Sequence, residues 1–419
     1  MALRFCPWVR EITHPTIRLV LCGIGDIACL QKTLVDTFKF FKHLSLVTSK
    51  FRLWRTKENE NNIQVIMGKN IGVVNRIISK AVASTDKRCL FYDRFGNRCK
   101  CDAIQSHSIQ KAGAIAAISE NGHVLKIGPT LNAKKLKSFE TFERTGVNKA
   151  STFLGFCNLH DTEVFAEIEA GNLIFSDRVA VIFAIRAIAL ELYRKKVMVE
   201  LQNESLDQTE VSVDLENQLI MKSIKSGASQ AVQEGYEKIK QLFSFFHKSK
   251  SSNFKSTPSN FIYQLREFHI DPPFTVCGAF EPNLSLDENP LFRIDPLKTK
   301  WNSISFFCGS ISGRFYFFAG GVQKFQYHRI DEFLKSISKE SDDFISKLFT
   351  ISVAFLENCF VRESWIESLS EIDKEKIRAL ALNGVWDGGG DPKNLQIRLQ
   401  LPENKSVKLR TSLTELGKP

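Results

Sequence analysis

KRCLFYDRFGNRCKCDAIQSHSIQK at residues 87–111 and GFCNLHD at 155–161 decide how this chain is read. The first stretch carries Cys89, Cys99 and Cys101 ahead of His107, and the second carries Cys157 and His160. A Cys pair, a long insert and a C-x-x-H pair supply the sulfur and imidazole donors that tetrahedral zinc takes in structural sites. Nine residues stand between Cys89 and Cys99, more than the two to four of a standard knuckle. Asp93, Gly96 and Asn97 are turn formers, so the chain can fold back between the two cysteines and end the turn at Cys99. The expected ligands are Cys89, Cys99, Cys157 and His160, with Cys101 the alternative to Cys99. Taken singly, each thiol also reads as a small buried hydrophobe. Cys157 and His160 at the start of a helical pattern favour the ligand reading.

These residues resemble the HNH, or ββα-metal, nucleases, built on a treble-clef zinc fold. The resemblance covers roughly residues 86 to 170. It implies that His107 activates water and that Asp161, next after His160, binds the catalytic magnesium or manganese. It leaves Asn148 or Asn121 as the middle asparagine. Ser106 departs from the family, which has an acidic residue or a second histidine there. The wording ASTFLGFCNLHDTEVFAEIE, with SWIESL far downstream, is also similar to a group of bacterial proteins with an HNH-like zinc module. Phosphodiester hydrolysis needs a base near neutral pH and a Lewis acid for the developing charge, roles suited to imidazole and to a divalent ion. The zinc would be structural and catalyse nothing.

Each residue has a plainer reading. His107 also fits a hydrogen-bonding structural histidine, and Asp161 before Val164, Phe165 and Ile168 fits a helix N-cap. A serine protease reading of Ser106 and His107 fails, because neighbours on a strand point to opposite faces.

The 419 residues suffice for two or three domains. Lys and Arg exceed Asp and Glu by 57 to 46, a net charge of +11 that suits a polyanionic partner. Ten scattered cysteines do not make a secreted disulfide framework and fit a reducing cytoplasm. IRLVLCGIGDIACL at 17–30 is broken by Asp26 and reads as a buried element. VAVIFAIRAIALELY at 179–193 carries Arg186 and Glu191, so it reads as a core helix and no membrane span is expected.

The expected fold is α+β. A mixed leader occupies 1–85, with polar RTKENENN at 55–62 and a helical pattern before Cys89. The zinc module follows at 86–170, a helical region at 171–246, a Ser- and Lys-rich linker at 247–260, and a β-rich C-terminal domain at 261–419. PPFTVCGAF, SISFFCGSI and RFYFFAGG read as antiparallel strands. A helix is expected at about 330–348, then a strand in FTISVAFLEN. WDGGGDP lacks a phosphate-loop lysine and reads as a turn.

The expected activity is a metal-dependent endonuclease acting on DNA, with RNA as an alternative substrate. Lys100, Lys111, Arg144 and Lys149 are the expected phosphate contacts, and the helical or C-terminal region is the place for a protein partner. The rival is a non-catalytic zinc module that recognises nucleic acid or protein.

Overall fold

The computed structural model describes residues 78–128, 141–170, 176–209, 215–249, 261–280, 303–322, 327–338, 344–386 and 406–411, with Arg76 and Leu173. The leader up to residue 75, the linker at 250–260 and the glycine stretch after Trp386 lie outside them. The architecture is mixed α and β.

Its frame is an eight-stranded antiparallel sheet. The strands are β2 (His123–Ile127), β3 (Phe142–Gly146), β5 (Phe261–Phe268), β6 (Phe274–Phe280), β7 (Ile304–Ile311), β8 (Arg314–Val322), β9 (Cys359–Val361) and β10 (Ser406–Thr411). They lie in the order β10-β5-β8-β7-β6-β9-β2-β3. β1 (Gln105–His107) and β4 (Thr152–Leu154) form a separate antiparallel pair. The three aromatic runs expected as strands are β6, β7 and β8. β7 and β8 are joined through Ser312 and Gly313, both at positive φ, which is the backbone a two-residue hairpin turn demands.

Both faces of the sheet are covered, so these strands are apolar throughout and show little alternation. On one face lie α1 (Asn158–Glu169), α2 (Asp177–Thr209) and α3 (Leu215–Lys248). Phe183 of α2 stacks on Phe307 and Phe318, with centroids 4.6 and 5.6 Å apart. On the other face lie α4 (Tyr327–Ser338), α5 (Phe344–Phe355) and α7 (Glu371–Trp386), with the short α6 (Glu363–Ser368) at the edge. The stretch 179–192 of α2 is therefore a core helix, and no helix among the described residues is long and apolar enough to cross a membrane.

Three expectations are corrected. FTISVAFLEN is mostly helix: Phe344, Ile345, Leu348, Phe349, Ser352 and Val353 recur at helical spacing and are buried, and the Thr350 and Ser352 hydroxyls return to carbonyls four residues back. The helix expected at 330–348 is two helices, α4 and α5. The 86–170 segment also does not close on itself. Its β2–β3 hairpin extends the main sheet, with Leu125, Lys126 and Ile127 paired to Val361, Phe360 and Cys359.

Between β1 and β2 the chain makes a π-helical turn, Lys111–Ile115, that rests on the sheet. Space there is tight. A Cβ at Gly309 on β7 would lie 2.8 Å from the Ala114 Cβ of that turn and 2.5 Å from Thr275 Oγ1. Gly309→Ala should therefore destabilise the chain by about 1–3 kcal/mol through overpacking. Urea unfolding should show a lower midpoint at an unchanged slope.

Candidate metal centre and the adjoining polar site

Residues 88–102 form a pinched antiparallel hairpin, with bridges Arg88↔Asp102 and Tyr92↔Arg98. Asp93 fixes its tip: its carboxylate accepts the Phe95 and Asn97 N–H groups at 2.9 and 2.8 Å, and Gly96 takes positive φ. This register sets Cys89 opposite Cys101 and Phe91 opposite Cys99. Side chains alternate along a strand, so all four lie on one face. The partner of that face is the first turn of α1. Cys157 is the N-cap residue with an extended backbone and His160 follows three residues later, a spacing that puts both on one side of a helix.

Cys89, Cys99, Cys157 and His160 come together as a group able to hold a metal ion, with all ligand atoms within 4.8 Å of one another. His160 Nδ1 lies 3.6 Å from Cys89 Sγ and 3.2 Å from Cys157 Sγ. A tetrahedral zinc with Zn–S of about 2.3 Å and Zn–N of about 2.0 Å sets its donors about 3.5–3.8 Å apart, so the donor set and its spacing fit that ion. The expected choice of Cys99 over Cys101 agrees with this grouping, and Cys101 is exposed at its edge. Burial pushes the Cys89 thiol up to about 12, so a facing cation is what would make it a thiolate. Burial also lowers His160, which keeps the imidazole in its neutral, ligating form.

The surroundings hold the ligands in place. Phe91 stacks on the His160 ring at 3.7 Å and 8° and meets Phe243 of α3 edge-on at 4.9 Å. His247 of α3 donates a ring N–H to the Tyr92 carbonyl at 2.8 Å. At the hairpin base Asp86 accepts from Arg98 at 2.8 Å and from the Tyr236 hydroxyl at 3.1 Å. Burial opposes the Asp86 charge, but hydrogen bonds from Arg88 and Arg98 and the Lys196 charge hold the carboxyl well below the usual range.

Further polar side chains lie on β1, on α1 and on α2. His107 ends β1 half-buried, and Asp161 lies inside the first turn of α1, where Cys157 and not Asp161 is the N-cap. The Ser106 hydroxyl donates to the Phe156 carbonyl at 3.5 Å and accepts the Phe156 N–H at 3.2 Å. His107 Nε2, Asp161 Oδ1, Gln110 Oε1 and Arg186 Nε are buried without a hydrogen-bond partner among the described residues. Burial first, then Lys111 and Arg186, lower His107, while Glu169 opposes them.

Sequence reading missed Arg186 and Glu169 as site residues. Arg186 sits 3% exposed in the most apolar stretch of α2 and donates to Glu169 at 2.6 Å. Its signal was present as a lone cation inside an apolar run.

The four expected phosphate contacts are exposed, but only Lys111 adjoins His107. Arg144 on the edge strand β3 is committed to Glu363, with its Nε 3.0 and 3.1 Å from the two carboxylate oxygens. Lys100 follows Cys99 on the hairpin, and Lys149 lies in the turn after β3. Asn121 occupies a left-handed turn before β2 and Asn148 the turn after β3, both exposed.

No family model matches the chain, and no match was found among curated proteins or solved structures.

The geometry separates the cysteines by consequence. Cys157→Ser should lose the bound metal and lower the melting temperature by several degrees, because the hairpin then has one ligand fewer to tie it to α1. Cys101→Ser should keep both, as read by metal analysis and thermal unfolding of the purified variants.

Proposed function

We propose that the chain is a zinc-stapled, HNH-like endonuclease that hydrolyses phosphodiester bonds in DNA, with RNA as the alternative substrate. What supports the reading is that Asp161 directly follows His160 of the Cys89, Cys99, Cys157 and His160 group, that His107 ends the strand paired with β4 just ahead of that helix, and that each has a buried atom with no partner among the described residues. A strand pair leading into a metal-bearing helix is the ββα arrangement of the family that the sequence resembles. Zinc is the proposed structural ion because three thiols and one imidazole are its usual closed donor set.

His107 would take the proton from water. Its environment keeps the ring neutral, which leaves it able to accept one. Asp161 is the carboxylate to hold a magnesium or manganese ion, which would supply Lewis-acid stabilisation of the phosphorane and of the leaving oxygen. Lys111, exposed at the head of the π-turn, is placed to neutralise a phosphate of the bound strand.

A second reading, a non-catalytic zinc module that binds nucleic acid or protein, draws on Ser106. That position is buried and spent on the Phe156 backbone, so it adds no ligand for a catalytic ion.

His107→Ala should lower cleavage of plasmid DNA by about 10²–10⁴-fold while zinc content and fold persist. Binding of the same DNA should survive and weaken with salt, because Lys and Arg contacts release counterions. A variant that cleaves like the parent would sink the nuclease reading. So would a parent that binds nucleic acid but cleaves neither DNA nor RNA with any divalent ion.

The pH dependence follows from His107. The folded chain holds the imidazole below its ordinary value of 6.5, so the neutral base persists below that pH. The acid limb of the rate profile should therefore fall on the acid side of 6.5. A limb above it would remove His107 as the base.

A further inference from the structure

Four donors complete the Cys/His group, yet a further thiol stands on the same face of the hairpin. Cys101 lies directly opposite Cys89: the Cys89 N–H donates to the Cys101 carbonyl at 2.9 Å, and Arg88 and Asp102 bridge beside them. The same register carries the Ala103 N–H to the Lys87 carbonyl at 2.7 Å and the Cys99 N–H to the Phe91 carbonyl at 2.9 Å. Cys89 and Cys101 are therefore a hydrogen-bonded antiparallel pair, whose Cα atoms stand about 5.5 Å apart. That lies inside the span of about 4.4–6.8 Å that a disulfide closes.

The two thiols differ in access. Cys101 is exposed, whereas Cys89 is 0% exposed and faces His160 Nδ1 at 3.6 Å inside the group. Of such a pair the open thiol meets a soluble oxidant, and the covered neighbour resolves the product. Cys99 is the competing partner, two residues back along the same strand. Two residues of strand rise by about 6.6 Å, at the outer limit for a disulfide, so Cys89 is the nearer partner. Metal binding needs a thiolate, which a disulfide sulfur is not. The cross-strand bond and the four-donor group thus exclude each other at Cys89.

We infer that Cys101 is a thiol-oxidation site that unloads the metal: a hydroperoxide oxidises Cys101, and Cys89 leaves the group to close a disulfide on it. With hydrogen peroxide, the Cys101 thiolate attacks one oxygen and the O–O bond breaks. The products are a sulfenic acid and hydroxide, which takes up a proton to become water. The Cys89 thiolate then attacks the Cys101 sulfur and the S–O bond breaks, with the oxygen leaving as a second hydroxide and becoming a second water. In sum two thiols give two electrons and two protons to one peroxide. The metal keeps Cys99, Cys157 and His160, three donors where four close the tetrahedron, and the hairpin is stapled to itself and no longer through Cys89 to α1. A dithiol reductant reverses the change by exchange, its own two thiols becoming the disulfide. The inference rests on the zinc reading of this group and not on cleavage of nucleic acid.

The test is hydrogen peroxide titration of the full-length, zinc-loaded chain, with released zinc read by a chromogenic chelator and disulfides mapped by mass spectrometry of unreduced peptides. The parent should release one zinc for each Cys89–Cys101 disulfide formed, and dithiothreitol with added zinc should restore the loaded chain. Cys101→Ser should hold its zinc at peroxide levels that empty the parent. Release from Cys101→Ser at the parental rate overturns the inference. So does a parent that forms no disulfide, or one that joins any other pair. If Cys101→Ser does not fold, the peptide map of the parent decides alone. A parent that binds no zinc yet forms the Cys89–Cys101 bond would remove the zinc reading and keep the pair as the oxidation site. None of these readouts uses cleavage, so failure of the nuclease reading leaves the result standing.

Discussion

The first turn of α1 is the constraint on which the functional half of the structure depends. The 88–102 hairpin presents Cys89, Phe91 and Cys99 on one face but has little apolar surface of its own, and the described ligands that answer it are Cys157 and His160. Because these two begin α1, whatever fixes them fixes the helix. The helix axis then places Asp161 one residue on and Glu169 two turns further along, and β4 ahead of it pairs with β1 to bring in His107. The Cys/His group and the polar residues on β1 and α1 are thus linked through one helix and one strand pair.

Against this ordering stands the cost of the polar site itself. Isolated ions in a protein interior forfeit several kcal/mol of hydration, and one ion pair recovers only part of it. Arg186 is nearly fully buried, whereas its partner Glu169 is half exposed, so their pairing is asymmetric and leaves guanidinium donors to spare. Sites built this way exchange stability for function. The surplus of rigidity comes from the sheet and from the stacked Phe183, Phe307 and Phe318 behind α2, which let a helix carry a charge through its apolar stretch without shifting.

How much of this was legible in the sequence depended on how local the signal was. The ligand set could be read because sulfur and imidazole at turn and helix-start spacing have few other uses, and Asp93, Gly96 and Asn97 announced the turn that closes the hairpin. Strands β6, β7 and β8 could be read from aromatic runs between breakers. FTISVAFLEN misled because its β-branched and aromatic residues favour a strand locally, while the i, i+4 burial that wins begins before it at Phe344 and is decided by the sheet it covers. Arg144 reads as a phosphate contact until Glu363, more than two hundred residues away, is seen to hold it. Arg186 and Glu169 were opaque for the same reason: an arginine in an apolar run argues only against a membrane until folding pairs it with a particular carboxylate.

The β2–β3 hairpin shows why an independent zinc module was the natural but incomplete reading. A treble clef can be a self-contained unit when the metal supplies most of its core, yet here the insert between β1 and β4 leaves the module and pairs with β9 at the sheet edge. The buried Asn358, just before β9, reinforces the joint: its amide donates to Ser108 Oγ and to the Cys277 carbonyl, both at 2.9 Å. Ser108 follows His107 directly and also donates to the Ser151 carbonyl at 2.9 Å, so the strand bearing the histidine is hydrogen-bonded to its own partner strand and to the large sheet. A base on a free-standing metal module would move with that module. His107 is instead referenced to the core of the described chain, the rigidity that its proposed role as a proton acceptor would require.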